Sequence, residues 1–196
     1  MKHHTMTRRM AMSSIAGLCL SRAAWAMPAE LPGDSVYQLQ ATLVDQDGRA
    51  LELSSLRGSP LFVSMFYTSC EMVCPMIFET IHATLKALPA SERQATRVLM
   101  VTFDPARDTV PVLKQTARAR GCDARWTLAR GDDDTARKLA ATLGIQYRRL
   151  ASGEYNHSSM IELLDRQGRI AARTGQLGHV DAAFVQATHQ VHRSRA

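Results

Sequence analysis

The sequence predicts an α/β domain, and three observations carry that expectation. "PLFVSMFY" (60–67) and "RVLMVTFD" (97–104) are continuous apolar runs, the pattern of strands buried on both faces and paired in parallel. Stretches with helical periodicity follow each of them. A strong turn signal marks a hairpin near the N-terminus, and a second hairpin is read near the other end of the chain. A length of 196 residues suits one domain with a real core, and 45% apolar and 21% charged residues are ordinary globular values. No internal repeat or low-complexity tract is present.

Each element follows from its residues. In 36–58, Asp47-Gly48 sits between two strand-like runs and predicts a hairpin. The buried strand 60–67 comes next. "PMIFETIHATLKAL" (75–88) brings Ile77, Ile81, Leu85 and Leu88 near one helical face. After the second buried strand, 110–121 reads as a helix closed by Gly121, with Asp108 or Thr109 as its cap. "RWTLAR" (125–130) is a short strand. Residues 132–144 form a helix opened by acids, which suit the positive end of its dipole, and closed by Gly144. "NHSSMIELLD" (156–165) and "RIAART" (169–174) flank "RQG" as a second hairpin, and 180–192 is a final helix. This order predicts a thioredoxin-like fold: a central mixed β-sheet flanked by helices, with an N-terminal β-hairpin. Fold alone leaves the chemistry open.

The first 26 residues read as an export signal. Lys2, Arg8 and Arg9 precede a short apolar core, "AMSSIAGLCL", and Arg22 interrupts it too early for a membrane-spanning helix. Ala24-Trp25-Ala26 supplies a cleavage pattern before Met27, and "TRRMAM" also resembles a twin-arginine signal. Cys19 follows Leu18, too large for a lipoprotein site. The expected organisation is a cleaved leader, 1–26, and a single periplasmic domain, 27–196, without a transmembrane helix. The leader holds four cations and no acid, so its removal takes the net charge from +6 to +2. That is too mild for nucleic acid, and the basic residues are interleaved with acids. Cys70, Cys74 and Cys122 remain, an odd number that suggests a working pair and one leftover thiol.

Cys70 and Cys74 stand between a strand end and Pro75, a residue favoured at the first helical position. Cys74 is then expected at the N-cap, where free N–H groups and the dipole favour thiolate. One-turn spacing brings the two Cα atoms to about 6 Å, which permits either a disulfide or a shared metal ion. His82, His189 and His192 fall within helices, and His179 at a helix start has no evident partner. His157 opens the strand "HSSMIELLD", close to the cysteine loop in a thioredoxin-like sheet, and is a candidate third ligand. Two thiolates and an imidazole suit Cu(I), or Cu(II) with a further ligand, and also zinc. Met72 and Met76 could add a thioether, although packing is their commoner use. Asp104 ends a strand on the site's side and could support the site or dock a partner.

"FYTSCEMVCP", "TFDPARDT" and "NHSS" together resemble the Sco/SenC family of thioredoxin-like copper chaperones, over about 36–192. The matching positions are Cys70, Cys74 and Pro75; Asp104, Pro105, Arg107, Asp108 and Thr109; and His157. Glu71 stands where the family commonly has proline, many members keep a membrane anchor, and Cys122 is left unexplained. The resemblance implies copper, Cu(I) or Cu(II), held by Cys70, Cys74 and His157. It also implies a role in building the dinuclear copper centre of cytochrome c oxidase, on subunit II or another copper-site protein, with an upstream copper donor. Such a metallochaperone is not an enzyme in the turnover sense. The alternative is a thiol–disulfide oxidoreductase with a redox-active Cys70–Cys74 disulfide, which needs no imidazole. A peroxidase ranks behind both, for want of a single-cysteine peroxidatic motif. The leader makes a direct prediction: mass spectrometry of protein from the periplasm should find Met27 at the N-terminus, and an intact N-terminus or a lipid on Cys19 would refute it.

Overall fold

The computed structural model describes residues 30–194, so the expected leader and Cys19 lie outside the described residues. The elements run β1 (Thr42–Asp45), β2 (Ala50–Glu52), β3 (Leu61–Phe66), α1 (Val73–Ala87), α2 (Ala90–Ala95), β4 (Arg97–Thr102) and α3 (Val110–Ala119). They continue with β5 (Trp126–Arg130), α4 (Asp133–Leu143), β6 (Tyr147–Arg149), β7 (Tyr155–His157), β8 (Ile161–Leu164), β9 (Ile170–Thr174) and α5 (Ala182–Arg193). Among the described residues, seven strands form one mixed sheet in the order β2-β1-β5-β4-β3-β8-β9.

The two apolar runs become the centre of that sheet. β3 is buried at every position and pairs in parallel with β4, from Leu61 opposite Arg97 to Phe66 opposite Thr102. β5 continues the parallel set, and the antiparallel β8–β9 and β1–β2 hairpins complete its two sides. Phe62 meets Phe184 of α5 at 5.2 Å between centroids, and Phe66 meets Phe78 of α1 edge-on at 5.5 Å. Alternation puts Phe62 and Phe66 on one sheet face, so both helices cover that face. β3 and β4 point their carboxyl ends the same way, the usual place for a site in an α/β sheet.

Both hairpins turn by one device. Asp45 accepts from the N–H groups of Asp47 and Arg49, and Asp165 accepts from those of Gln167 and Arg169. Gly48 and Gly168 take positive φ, 80° and 85°. The shared D-x-x-G-R pattern is visible in the sequence. Three details differ from the sequence expectation. α2 is a six-residue helix that no periodicity announced. β6 also went unforeseen. "NHSSMIELLD" is two strands rather than one: β7 leaves the main sheet to pair with β6 as a separate ribbon, and β8 starts only at Ile161.

Gly168 gives the fold a sharp test. Its φ suits glycine, and an added methyl would overlap the Tyr37 ring and Ser35 Oγ, which lap over this turn. Gly58 has a similar φ of 87° with nothing within 4 Å. Urea unfolding should therefore show Gly168→Ala losing about 2 kcal/mol more than Gly58→Ala, the size of an overpacking penalty. Equal losses would contradict the packing described.

Candidate metal centre

The loop after β3 is tied down by a buried carboxylate. Asp108 accepts from the Thr68 N–H at 3.1 Å, from the Thr68 hydroxyl and from the Thr102 hydroxyl. It therefore joins the ends of β3 and β4 instead of capping α3, whose N-cap, Thr109, makes no side-chain cap bond. A buried carboxylate needs such partners.

The loop then delivers the cysteines. α1 begins at Val73, with Met72 as its N-cap, so Cys74 lies inside the first turn rather than at the cap. Pro75 did not set the boundary, because the whole first turn has no intrahelical N–H partners and tolerates proline. The Cys74 N–H donates to Cys70 Sγ at 3.4 Å, so one cysteine sulfur serves as acceptor for a free helix N–H. The two sulfurs are free thiols in unlike settings. Burial resists charge on Cys70, but the N–H of Cys74, the Cys74 side chain and the N–H groups of Met72 and Val73 outweigh it and bring Cys70 below the ordinary thiol range. Burial pushes Cys74 well above that range, and a negative Cys70 beside it raises it further. The pair thus gives up its first proton from Cys70 and resists losing the second.

His157 arrives on β7. Its ring sits 5.1 Å from that of Phe103 and 5.9 Å from that of Tyr67, centroid to centroid. Burial lowers its proton affinity and favours the neutral, ligating form. Nδ1 lies 3.4 Å from the Ser158 carbonyl; a proton held there leaves Nε2 with its lone pair. The donor atoms of Cys70, Cys74 and His157 all lie within 4.8 Å of one another. This donor set fits a soft or borderline metal ion. Cys70, Met72, Glu154 and His157 help line a cavity of about 590 Å³, while Cys74 lies deeper.

The remaining candidates are not in the cluster. His82 bonds the Arg120 carbonyl, His179 bonds Gln176, His189 bonds Glu92 and His192 bonds Thr96. Asp104 is buried and holds Arg107, with the Tyr155 hydroxyl also against it. Met72 is 75% exposed at the cavity rim rather than packed. Cys122 is half-buried behind the end of α3, and burial, then the Asp123 charge, push its thiol up to about 12. Tyr67, Arg107, Asp108 and Glu154 shape the site without having been singled out for it. "DPARDT" contained two of them, but nothing local marked Tyr67 or Glu154.

A family model described as SCO1/SenC matches residues 31–191. The chain belongs to the SCO1/SenC family. A candidate copper-binding protein of Stutzerimonas stutzeri is 26% identical over 147 residues, covering 73% of this chain and 68% of that one. ScoI of Bradyrhizobium japonicum, solved with copper bound, superposes with a TM-score of 0.64 at 25% identity, over 78% of this SCO1/SenC chain and 96% of that one. Yeast Sco1 with copper bound has a TM-score of 0.67 at 19% identity, over 80% of this chain and 88% of that one, a likeness of fold.

The unlike thiols make a measurable prediction. Iodoacetamide at neutral pH should alkylate Cys70 at least about tenfold faster than Cys122, because the thiolate is the nucleophile. The Cys70 rate should level off at a lower pH than an ordinary thiol's. Peptide mapping that finds Cys122 modified first would contradict the site described.

Proposed function

We propose that this protein is a copper metallochaperone that holds copper through Cys70, Cys74 and His157. The observation that carries the reading is the convergence of these three donors, from two separate chain segments, within 4.8 Å. Two thiolates and an imidazole suit Cu(I), and Cu(II) when a further ligand joins. Three protein donors leave a position free, which a protein that hands its ion on requires. The copper-bound relative from Bradyrhizobium japonicum favours copper over zinc.

In this reading residues 1–26 are removed on export and 27–196 work in the periplasm as one domain. Copper comes from an upstream donor and passes to the dinuclear centre of cytochrome c oxidase, on subunit II or another copper-site protein. Asp104 acts on the site through Arg107 and Tyr155. Family membership supports the oxidase role, and no helix of the described residues is long and apolar enough to cross a membrane.

The unequal thiols favour a second reading, thiol–disulfide exchange. Cys70 thiolate would attack a target disulfide, and Cys74 would then resolve the mixed disulfide. The target would leave as a dithiol carrying the two electrons, and Cys70–Cys74 would remain as a disulfide.

Copper and the disulfide should exclude each other, since a sulfur in a disulfide has no thiolate charge to donate. Anaerobic Cu(I) loading should give one copper per reduced chain and none after Cys70–Cys74 oxidation. Cys122→Ser should keep that stoichiometry. His157→Ala should weaken copper binding by more than about tenfold, since losing even an outer partner of a ligand commonly costs that much, and should still form the disulfide. Full copper retention by quantified Cys70–Cys74 disulfide would remove the metallochaperone reading in favour of exchange.

A further inference from the structure

Resting on the copper-binding reading, we propose that Tyr67 and Arg107 are positioning residues that fasten the β6–β7 ribbon over the cysteine loop, so that the site offers three donors instead of two. The ribbon needs fastening. β6 and β7 pair with each other, Tyr147 opposite His157 and Arg149 opposite Tyr155, and with no strand of the seven-stranded sheet among the described residues. A two-stranded ribbon alone is marginally stable in water.

Two hydrogen bonds hold its turn from outside. The Tyr67 hydroxyl donates to Glu154 Oε2 at 2.6 Å. Arg107 Nη2 donates to the Gly153 carbonyl at 2.6 Å, while Arg107 Nε is held by the buried Asp104 carboxylate. The same Asp104 stands against the Tyr155 hydroxyl. Tyr155 and His157 share one face of β7, and that face lies on Phe103 and Tyr67: Tyr155 is 4.9 Å from Phe103 and 5.1 Å from Tyr67 between centroids. Fixing 153–155 therefore fixes His157 two residues on. Tyr67 is three residues before Cys70, so one side chain refers the imidazole to the sulfurs directly.

The consequence is selective. Two thiolates still bind Cu(I) when the imidazole is displaced, though less tightly, whereas Cu(II) needs nitrogen and further donors. Loosening the ribbon should weaken Cu(II) binding far more than Cu(I) binding.

The test uses the mature chain with Tyr67→Phe, which keeps the ring, Arg107→Ala, and Glu154→Ala beside Glu154→Gln, which keeps an acceptor for the phenol. In the first three, Cu(II) affinity should fall by about 10- to 100-fold, as for loss of an outer partner of a ligand. The nitrogen coupling in the Cu(II) EPR spectrum should weaken, and Cu(I) affinity should fall much less. Glu154→Gln should keep wild-type amide exchange at 147–157, since its amide oxygen still accepts from the phenol. Without metal, amide exchange at 147–157 should quicken in the same three variants while the main sheet stays protected. Equal losses for both copper states, or unaltered EPR spectra and amide exchange, overturn the proposal. A wild type that takes up no copper refutes the copper-binding reading instead; the fastening then stands or falls on amide exchange alone, and unchanged exchange overturns it.

Discussion

A carboxylate shut away from water must be fully hydrogen-bonded or it costs several kcal/mol, and the Asp108 side chain meets that requirement by gathering the site around itself. Its three donors come from the end of β4 and from the residue that opens the cysteine loop. The parallel register of β3 and β4 brings those donors together, with Phe66 opposite Thr102. Cys70 is two residues beyond Thr68, so the loop leaves the sheet from a fixed point. The direction of α1, and hence the place of Cys74, follows from that exit.

The sulfur chemistry is set by backbone as much as by side chains. One sulfur receives the N–H groups of a helix's first turn and the other is packed beneath it. Charge is therefore stabilised on Cys70 and opposed on Cys74. A dication or a soft monocation binding both sulfurs would compensate the second charge, and a disulfide would abolish both charges. Either outcome relieves the same electrostatic conflict.

Much of this could be read before any coordinates. Uninterrupted apolar runs gave β3 and β4, which bury six and five consecutive side chains, as strands covered on both faces do. Asp47-Gly48 and "RQG" gave the two hairpins. Cys70, Cys74 and His157 were found as candidates and lie together. What could not be read is whatever depends on partners far along the chain. β6, "YRR", is short and largely exposed, and it is a strand only because β7 returns to it. "NHSSMIELLD" looks continuous because the break at Ser158–Met160 has no glycine or proline to mark it. α1 starts at Val73 because the cysteine loop enters it there, whereas proline marks only a range of permitted positions. The Tyr67–Glu154 bond joins residues 87 apart in sequence, beyond the reach of any local pattern.

The ribbon's separation from the main sheet has an evolutionary meaning. Its turn, Leu150–Gly153, can gain or lose residues without breaking any pair in the seven-stranded ladder. Selection on the third ligand is thereby uncoupled from selection for folding. Descendants of such a chain could lengthen or shorten the turn while inheriting an intact ladder, and drift there would be filtered by metal handling and by the packing of Tyr147 and Tyr155 on Phe103.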